Sequence, residues 1–340
     1  PSPGYVFSGW SGSLTSNLPK LTFTMRSNLV LQVSFSPNPF GPLAGTYQGL
    51  FYDTNGLAPQ SSGFLNAVLS SRGTFSAQLR LGGKNYRFSG LLLGNDGTYS
   101  GPIGRGTNAL AILLQLDLSG AAGLAGQVSS ADWQAQLLAL RAAYKSRTIS
   151  FPQPGKYTLL LPGADDPATA PGGDGYATLK VASSGNVRCV GALADGTRFS
   201  QSAFLAEGGV WPLFASAYSG NGLVMGWLTL TNDTASDIDG GFAWLKPPGG
   251  TIDPDGLAFT NSVLGSKYLV VPHMPPLDLG TGPLEGADRR AEIAGAVVED
   301  DDVLLQIVPL VEGTPVSRGS IATASRKARA NALNCASTRW

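Results

Sequence analysis

The chain has 340 residues, with 23 Lys+Arg against 23 Asp+Glu, one histidine and only 14% charged residues. A formal net charge of zero excludes the basic footprint that nucleic-acid binding needs. The single imidazole, His273, removes most metal sites and most Ser–His or Cys–His chemistry, and no apolar run approaches the roughly 20 residues of a membrane helix.

At 340 residues the chain fits two or three domains and buries a core without needing disulfide staples. Pro1 begins a mature-looking segment with no visible signal peptide. Residues 5–10 and 29–35 read as strands from their alternation. From residue 45 onward, short alternating runs such as Thr74–Leu81 and Tyr86–Ser89 are broken by Gly and Asx turn signals every 8 to 12 residues. Ser71-Arg72-Gly73, Gly82-Gly83-Lys84 and Asn95-Asp96-Gly97 are tight-turn chemistry, because their central residues need positive φ.

The rhythm then repeats. Gly45-Thr46-Tyr47 returns as Gly155-Lys156-Tyr157, Gly63-Phe64 as Gly175-Tyr176, Ser71-Arg72-Gly73 as Ser183-Ser184-Gly185, and Gly83-Lys84-Asn85-Tyr86 as Gly196-Thr197-Arg198-Phe199. Gly101-Pro102-Ile103 is echoed by Trp211-Pro212-Leu213, Leu110–Leu116 by Gly222–Leu228, and Ser130–Trp133 by Gly241–Trp244. Seven landmarks in one order, 110 to 113 residues apart, read as an internal duplication. Each copy holds about eight strand candidates in up-and-down order, the number that closes a small barrel. The stretch Trp133–Tyr144 has helical propensity, but its counterpart stops at Pro247-Pro248, which favours a last strand.

The fold expected is therefore all-β: two tandem antiparallel up-and-down barrel-like or sandwich repeats plus extra terminal strands. The divisions expected are N-terminal strands over 1–40, a first repeat over 41–150, a second over 151–249, a C-terminal β unit over 250–316 and a basic irregular tail over 317–340. Val303–Val311 reads as a strand of that C-terminal unit, which would pair N-terminal with C-terminal strands in a third, smaller body. The aromatics Tyr47, Phe64, Phe75, Tyr86, Tyr157, Tyr176 and Phe199 are expected in the cores, and Tyr47 should superpose on Tyr157 and Trp133 on Trp244.

The run Asn38–Tyr52, with Gly196–Ser202 and Trp211–Phe214, resembles glycine-rich β-repeat modules of very long secreted or surface proteins of environmental bacteria, Verrucomicrobia among them. The resemblance spans residues 38 to about 310 and rests on turn glycines and core aromatics. It implies an extracellular or cell-surface structural role and brings no reaction with it.

Candidate chemistry is sparse. His273 sits in a proline-stiffened loop, Val271–Pro276, and no Gly-x-Ser-x-Gly elbow occurs. Carboxylates cluster as Asp165-Asp166, Asp253 with Asp255, and Glu299–Asp302, all among turn signals where solvated loop acids lie, although a glycosidase pair can be distant in sequence. Asn232–Gly240 alternates oxygen-bearing residues as a calcium loop does, but Leu245 stands where a bidentate glutamate would, and an Asx-capped turn accounts for it. Cys189 alternates with apolar neighbours as a small buried hydrophobe, and a bridge to Cys335 would pin the tail. The six tryptophans, Trp10, Trp133, Trp211, Trp227, Trp244 and Trp340, read as core positions rather than a sugar-stacking platform. A transmembrane barrel fits less well, because aromatic girdles are missing.

No catalytic, cofactor-binding or metal-ligating residue is assigned, and no cofactor is expected. The reading is a non-catalytic extracellular structural or adhesive β module, with a carbohydrate- or small-ligand-binding barrel and a glycoside hydrolase as alternatives. Self-association or neighbouring surface domains are the expected partners, with glycans as a further class and no nucleic acid or membrane span. Zero net charge removes the repulsion that keeps soluble monomers apart, and the strands at 5–10 and 29–35 are candidates for donation to a sheet edge.

Overall fold

The computed structural model describes residues 2, 4–25, 28–94, 96–104, 109–120, 123–145, 149–164, 171, 173–231, 236–249 and 253–268. Among them every long element is a β-strand, with two single-turn 3₁₀ segments. The chain divides into two compact units, with the boundary at Ala142–Ala143.

The first unit opens with a hairpin of β1 (Tyr5–Gly12) and β2 (Leu31–Pro37). Eight strands follow: β3 (Gly45–Tyr52), β4 (Gly63–Leu69), β5 (Thr74–Leu81), β6 (Lys84–Leu91), β7 (Thr98–Ile103), β8 (Leu110–Leu116), β9 (Gly123–Ser129) and β10 (Gln134–Arg141). Their order in the sheet is β6-β5-β4-β3-β10-β9-β8-β7, antiparallel throughout. The last strand pairs the first, Tyr47 opposite Arg141 and Tyr52 opposite Gln136. The two sheet ends, β6 and β7, are successive in the chain, and a link of six residues reaches at most about 20 Å. The sheet must therefore curl until its ends meet, and Phe75 spans the seam by edge-to-face contacts with Phe88 of β6 and Tyr99 of β7, at 5.9 and 4.9 Å. Alternation is strict where one face is buried: Leu110, Ile112, Leu114 and Leu116 point inward while Ala111, Leu113 and Gln115 face out. The 134–141 stretch is the strand expected over a helix, with Ala135, Leu137 and Ala139 inside.

The second unit holds β11 (Gly155–Leu161), β12 (Gly175–Val181), β13 (Asn186–Ala192), β14 (Arg198–Phe204), β15 (Val210–Ala217), β16 (Gly222–Leu230), β17 (Ile238–Lys246), β18 (Leu257–Ser262) and β19 (Leu264–Lys267). Their order is β14-β13-β12-β11-β19-β17-β16-β15, with β18 alongside β17. The two barrels share the turn that follows their second strand bond for bond. In the first, Gly73 N–H donates to Ser70 O and Leu92 N–H to Gly73 O; in the second, Gly185 N–H donates to Ala182 O and Leu205 N–H to Gly185 O. Gly73 and Gly185 take φ of +82° and +71°, and a Cβ on Gly73 would fall 2.6 Å from the Phe40 ring.

Tyr47 and Tyr157 are also equivalent. Each hydroxyl donates to the carbonyl four residues earlier, Leu43 O at 2.7 Å and Gln153 O at 2.5 Å. Each sits opposite a cation of the closing strand, Arg141 or Lys267. The Lys267 ammonium lies 6.0 Å from the Tyr157 ring centre, and the Arg141 guanidinium donates to Pro42 O.

Three expectations need correction. Among the described residues the outer strands form no shared third body: β1 pairs β2, while 257–267, part of the expected 250–316 unit, joins the second sheet. The slot that β10 fills in the first barrel is taken by β19, which pairs β11 from Tyr157↔Lys267 to Leu160↔Leu264. β17 is thereby the counterpart of β9, so Trp244 does not correspond to Trp133: the second copy inserts the 247–256 loop and β18 before its last strand. Finally, Tyr176 is 38% exposed on the outer face of β12, although Phe64 at the matching place is buried.

Candidate functional site

A barrel binds a small molecule through an open, polar-rimmed interior. The first barrel's interior is packed with Tyr47, Phe51, Leu65, Leu79, Ile112 and Val128. A void of about 10 Å³, room for at most one water, lies among apolar groups including Leu69, Phe75, Leu92, Leu114 and Leu124. The second barrel is packed with Trp211, Trp244, Phe242, Leu159, Leu179 and Leu213. A buried glutamine bridges its seam. Gln201 of β14, 6% exposed, donates from Nε2 to Pro212 O at 2.8 Å and accepts at Oε1 from Phe214 N at 3.1 Å. The amide thus takes the place of a backbone rung between β14 and β15.

The densest polar cluster lies at the end of the second barrel where the β13–β14 and β15–β16 turns meet the end of β17. Trp244 Nε1–H donates to Tyr218 Oη at 3.0 Å, and Tyr218 Oη–H donates to Asp195 Oδ2 at 2.6 Å. Asp195 Oδ1 accepts from Thr197 N at 2.9 Å. Burial first, then the hydrogen bond to Asp195, raises the Tyr218 phenol far above its ordinary value and keeps it neutral. Tyr218 and Ser219 both adopt the left-handed region, with φ of +51° and +57°. Beside them the buried Lys246 ammonium donates to Gly249 O at 2.9 Å and Asp253 O at 3.0 Å. Asp253 Oδ2, in the same loop, is buried with no hydrogen-bond partner among the described residues. A neutral phenol with an engaged hydroxyl and an ammonium tied to two carbonyls hold three loops together. Among the described residues no group of three or more His, Cys, Asp and Glu converges on a point where a metal could sit.

Several sequence candidates, namely His273, Cys335, Trp340, Asp165-Asp166, Glu299–Asp302 and Val303–Val311, lie outside the described residues, as does 232–235 of the calcium-like loop. The rest of that loop bonds as a turn: Asp237 Oδ2 accepts from Lys267 N at 2.7 Å, and Asp239 Oδ2 from Thr231 Oγ1 at 3.2 Å. Asp255 is exposed and Asp253 half-buried, in one loop. Cys189 is a free thiol in the core, and burial pushes its pKa up to about 12, leaving almost no thiolate to react. Trp211 and Trp244 are buried; Trp133 and Trp227 are half-buried.

What sequence reading missed is the character of the β1–β2 hairpin. Tyr5, Leu18, Phe23, Met25, Val30, Val33 and Phe35 are all exposed, Met25 by 79% and Val30 by 69%. One face of the hairpin is an aromatic cluster, Phe7 lying 5.8 Å from Trp10 and 6.4 Å from Phe35. Val6 packs on the first barrel's core. Neither strand carries a charged side chain. The available signal was uncharged alternation with Phe7, Val33 and Phe35 on one face and Val6 on the other.

Residues 1–39, the hairpin with its connection, match the model of the divergent InlB B-repeat domain. That match is N-terminal to most of the 38–310 run that suggested Verrucomicrobial modules, and no comparison points to that phylum. No curated protein sequence matches the chain. Among solved structures, the chain is similar to a proposed outer membrane protein of Bacteroides fragilis, at 13% identity over 68% of this chain and 100% of the other, with a TM-score of 0.21. It is also similar to a DUF3598-family protein of unknown function from Nostoc punctiforme, at 11% identity over 68% and 98%, with a TM-score of 0.19. Scores this low establish no common function.

Proposed function

We propose that the chain is a non-catalytic structural module of the bacterial cell surface, in which the barrels are spacers and the β1–β2 hairpin is the contacting element. The observation that carries this reading is the exposure of Val33 and Phe35 on the uncharged strand β2, with exposed Met25 and Val30 in the connection that leads into it. Exposed apolar side chains grouped in this way mark interaction surfaces, whereas singly scattered ones do not. The match of residues 1–39 to a B-repeat domain supports it, as do the packed apolar core of the first barrel and the loop-tying hydrogen bonds of the second barrel's polar cluster. The division of labour proposed is a contact hairpin, then two repeats over about 45–141 and 155–267. Protease treatment of intact producing cells tests the location. Loss of the full-length chain without release of a cytoplasmic marker is expected; protection until the cells are lysed would refute a surface role.

A further inference from the structure

The hairpin has two edges of different character. The β1 edge is occupied: Trp10 exchanges backbone hydrogen bonds with Ser16, at 2.8 and 3.3 Å, and a Cβ on Gly94 of the first barrel would fall 3.0 Å from Phe7 O and 2.7 Å from the Val6 side chain. The β2 edge faces the other way, and no described strand pairs with it. Along β2, Leu31-Gln32-Val33-Ser34-Phe35-Ser36-Pro37, alternate residues direct N–H and C=O groups outward. Proteins that stay monomeric blunt such edges with lysines, inward charges or cover. This one has no charged residue, and Gln32, Val33, Ser34 and Phe35 are all exposed.

We infer that β2 pairs antiparallel with β2 of a second copy of this chain, about a two-fold axis at Ser34, to make a four-stranded sheet β1-β2-β2-β1. The inference rests on the contact role of the hairpin proposed above and names its partner. The second copy is favoured by charge. An uncharged strand gives a charged partner nothing to pair with, but an identical strand meets it without repulsion, and the chain as a whole has zero formal charge. The sequence of β2 suits the symmetry as well. An axis at Ser34 sets Val33 of each copy opposite Phe35 of the other, two aromatic–β-branched pairs on one face, with Gln32 opposite Ser36 on the same side as Ser34. Such a contact is isologous and closes at two copies, so it yields a dimer rather than a filament.

Sedimentation of the full chain over a micromolar concentration series tests this. A monomer–dimer equilibrium is expected, and Phe35→Lys, placing an ammonium in each Val33–Phe35 pair, is expected to weaken dimerisation by at least about tenfold with an unchanged far-UV spectrum. If Phe35→Lys perturbs the fold, cross-linking decides. In a Cys335→Ser background, Ser34→Cys should give a covalent dimer under mild oxidation, and Ser119→Cys, on an exposed turn of the first barrel, should not. A chain that is monomeric throughout, a dimer indifferent to Phe35→Lys, or equal cross-linking at both positions would each overturn the pairing. None of these touches the protease result on intact cells, so failure of the dimer and failure of the surface reading are told apart.

Discussion

Tyr47 and Tyr157 stand at the same point in the two barrels, 1% and 2% exposed, each tied by its hydroxyl to the chain segment that enters the first strand. Replacing Tyr157 by Ala removes a large core ring and should destabilise the second barrel by about 3 kcal/mol, seen as a lower denaturation midpoint. Its ionisation gives a second handle. Burial first, then the nearby Asp237 carboxylate, raises the phenol from its ordinary 10.0 to about 12. The fold therefore favours the neutral form: that contribution is complete below pH 10 and is lost as the pH rises from 10 through about 12. Tyr157→Phe should flatten the loss of stability over this alkaline interval, measured by urea midpoints across it; an unchanged profile would assign the alkaline loss elsewhere. Both tyrosines were legible from the repeated Gly-x-Tyr. The exposure of Tyr176 was not, because an outward-facing ring is buried only if something covers it, and Phe64 has the Arg80 guanidinium over its face at 5.6 Å.

Elements in this protein are joined by devices of very unequal visibility in sequence. The β4–β5 and β12–β13 turns announce themselves through Gly73 and Gly185. Gly73→Ala would impose a left-handed φ on a residue with a Cβ and drive that atom into Phe40, costing about 2 kcal/mol in thermal or chemical denaturation. The seams are different. Phe75, Phe88 and Tyr99 close the first barrel, and Gln201 closes the second, although Phe88 and Gln201 occupy matching places in β6 and β14. Nothing local distinguishes an inward glutamine that replaces a backbone rung from an outward one in water. Gln201→Leu should leave Pro212 O and Phe214 N without the Gln201 amide in a buried seam. A loss of about 2 kcal/mol is expected, with faster hydrogen exchange at the Phe214 amide than in β11 or β12.

At the scale of the whole molecule, the balance of 23 cations and 23 acids acts on association rather than on fold. Solubility should pass through a minimum near pH 7 and rise at about pH 4, where carboxylates take up protons and the net charge becomes positive. Turbidity against pH on the purified chain measures it, and a minimum displaced well away from neutrality would show that the exposed hairpin, not charge, governs association.

The sequence alone determined the all-β class, the meander order, the duplication and most turn positions, because these depend on period-two alternation and on glycine chemistry within a few residues. Tertiary structure decided which strand fills the last slot of each barrel. β10 follows β9 directly, whereas β19 arrives only after the 247–256 loop and β18, and a length-preserving match misaligned Trp244 with Trp133. It also decided that β1 and β2 pair with each other, with no described strand on the other, uncharged edge of β2. Strand pairing joins backbone groups that look alike in every residue. The choice among partners is made by which faces can be buried together, and that is a property of the folded chain.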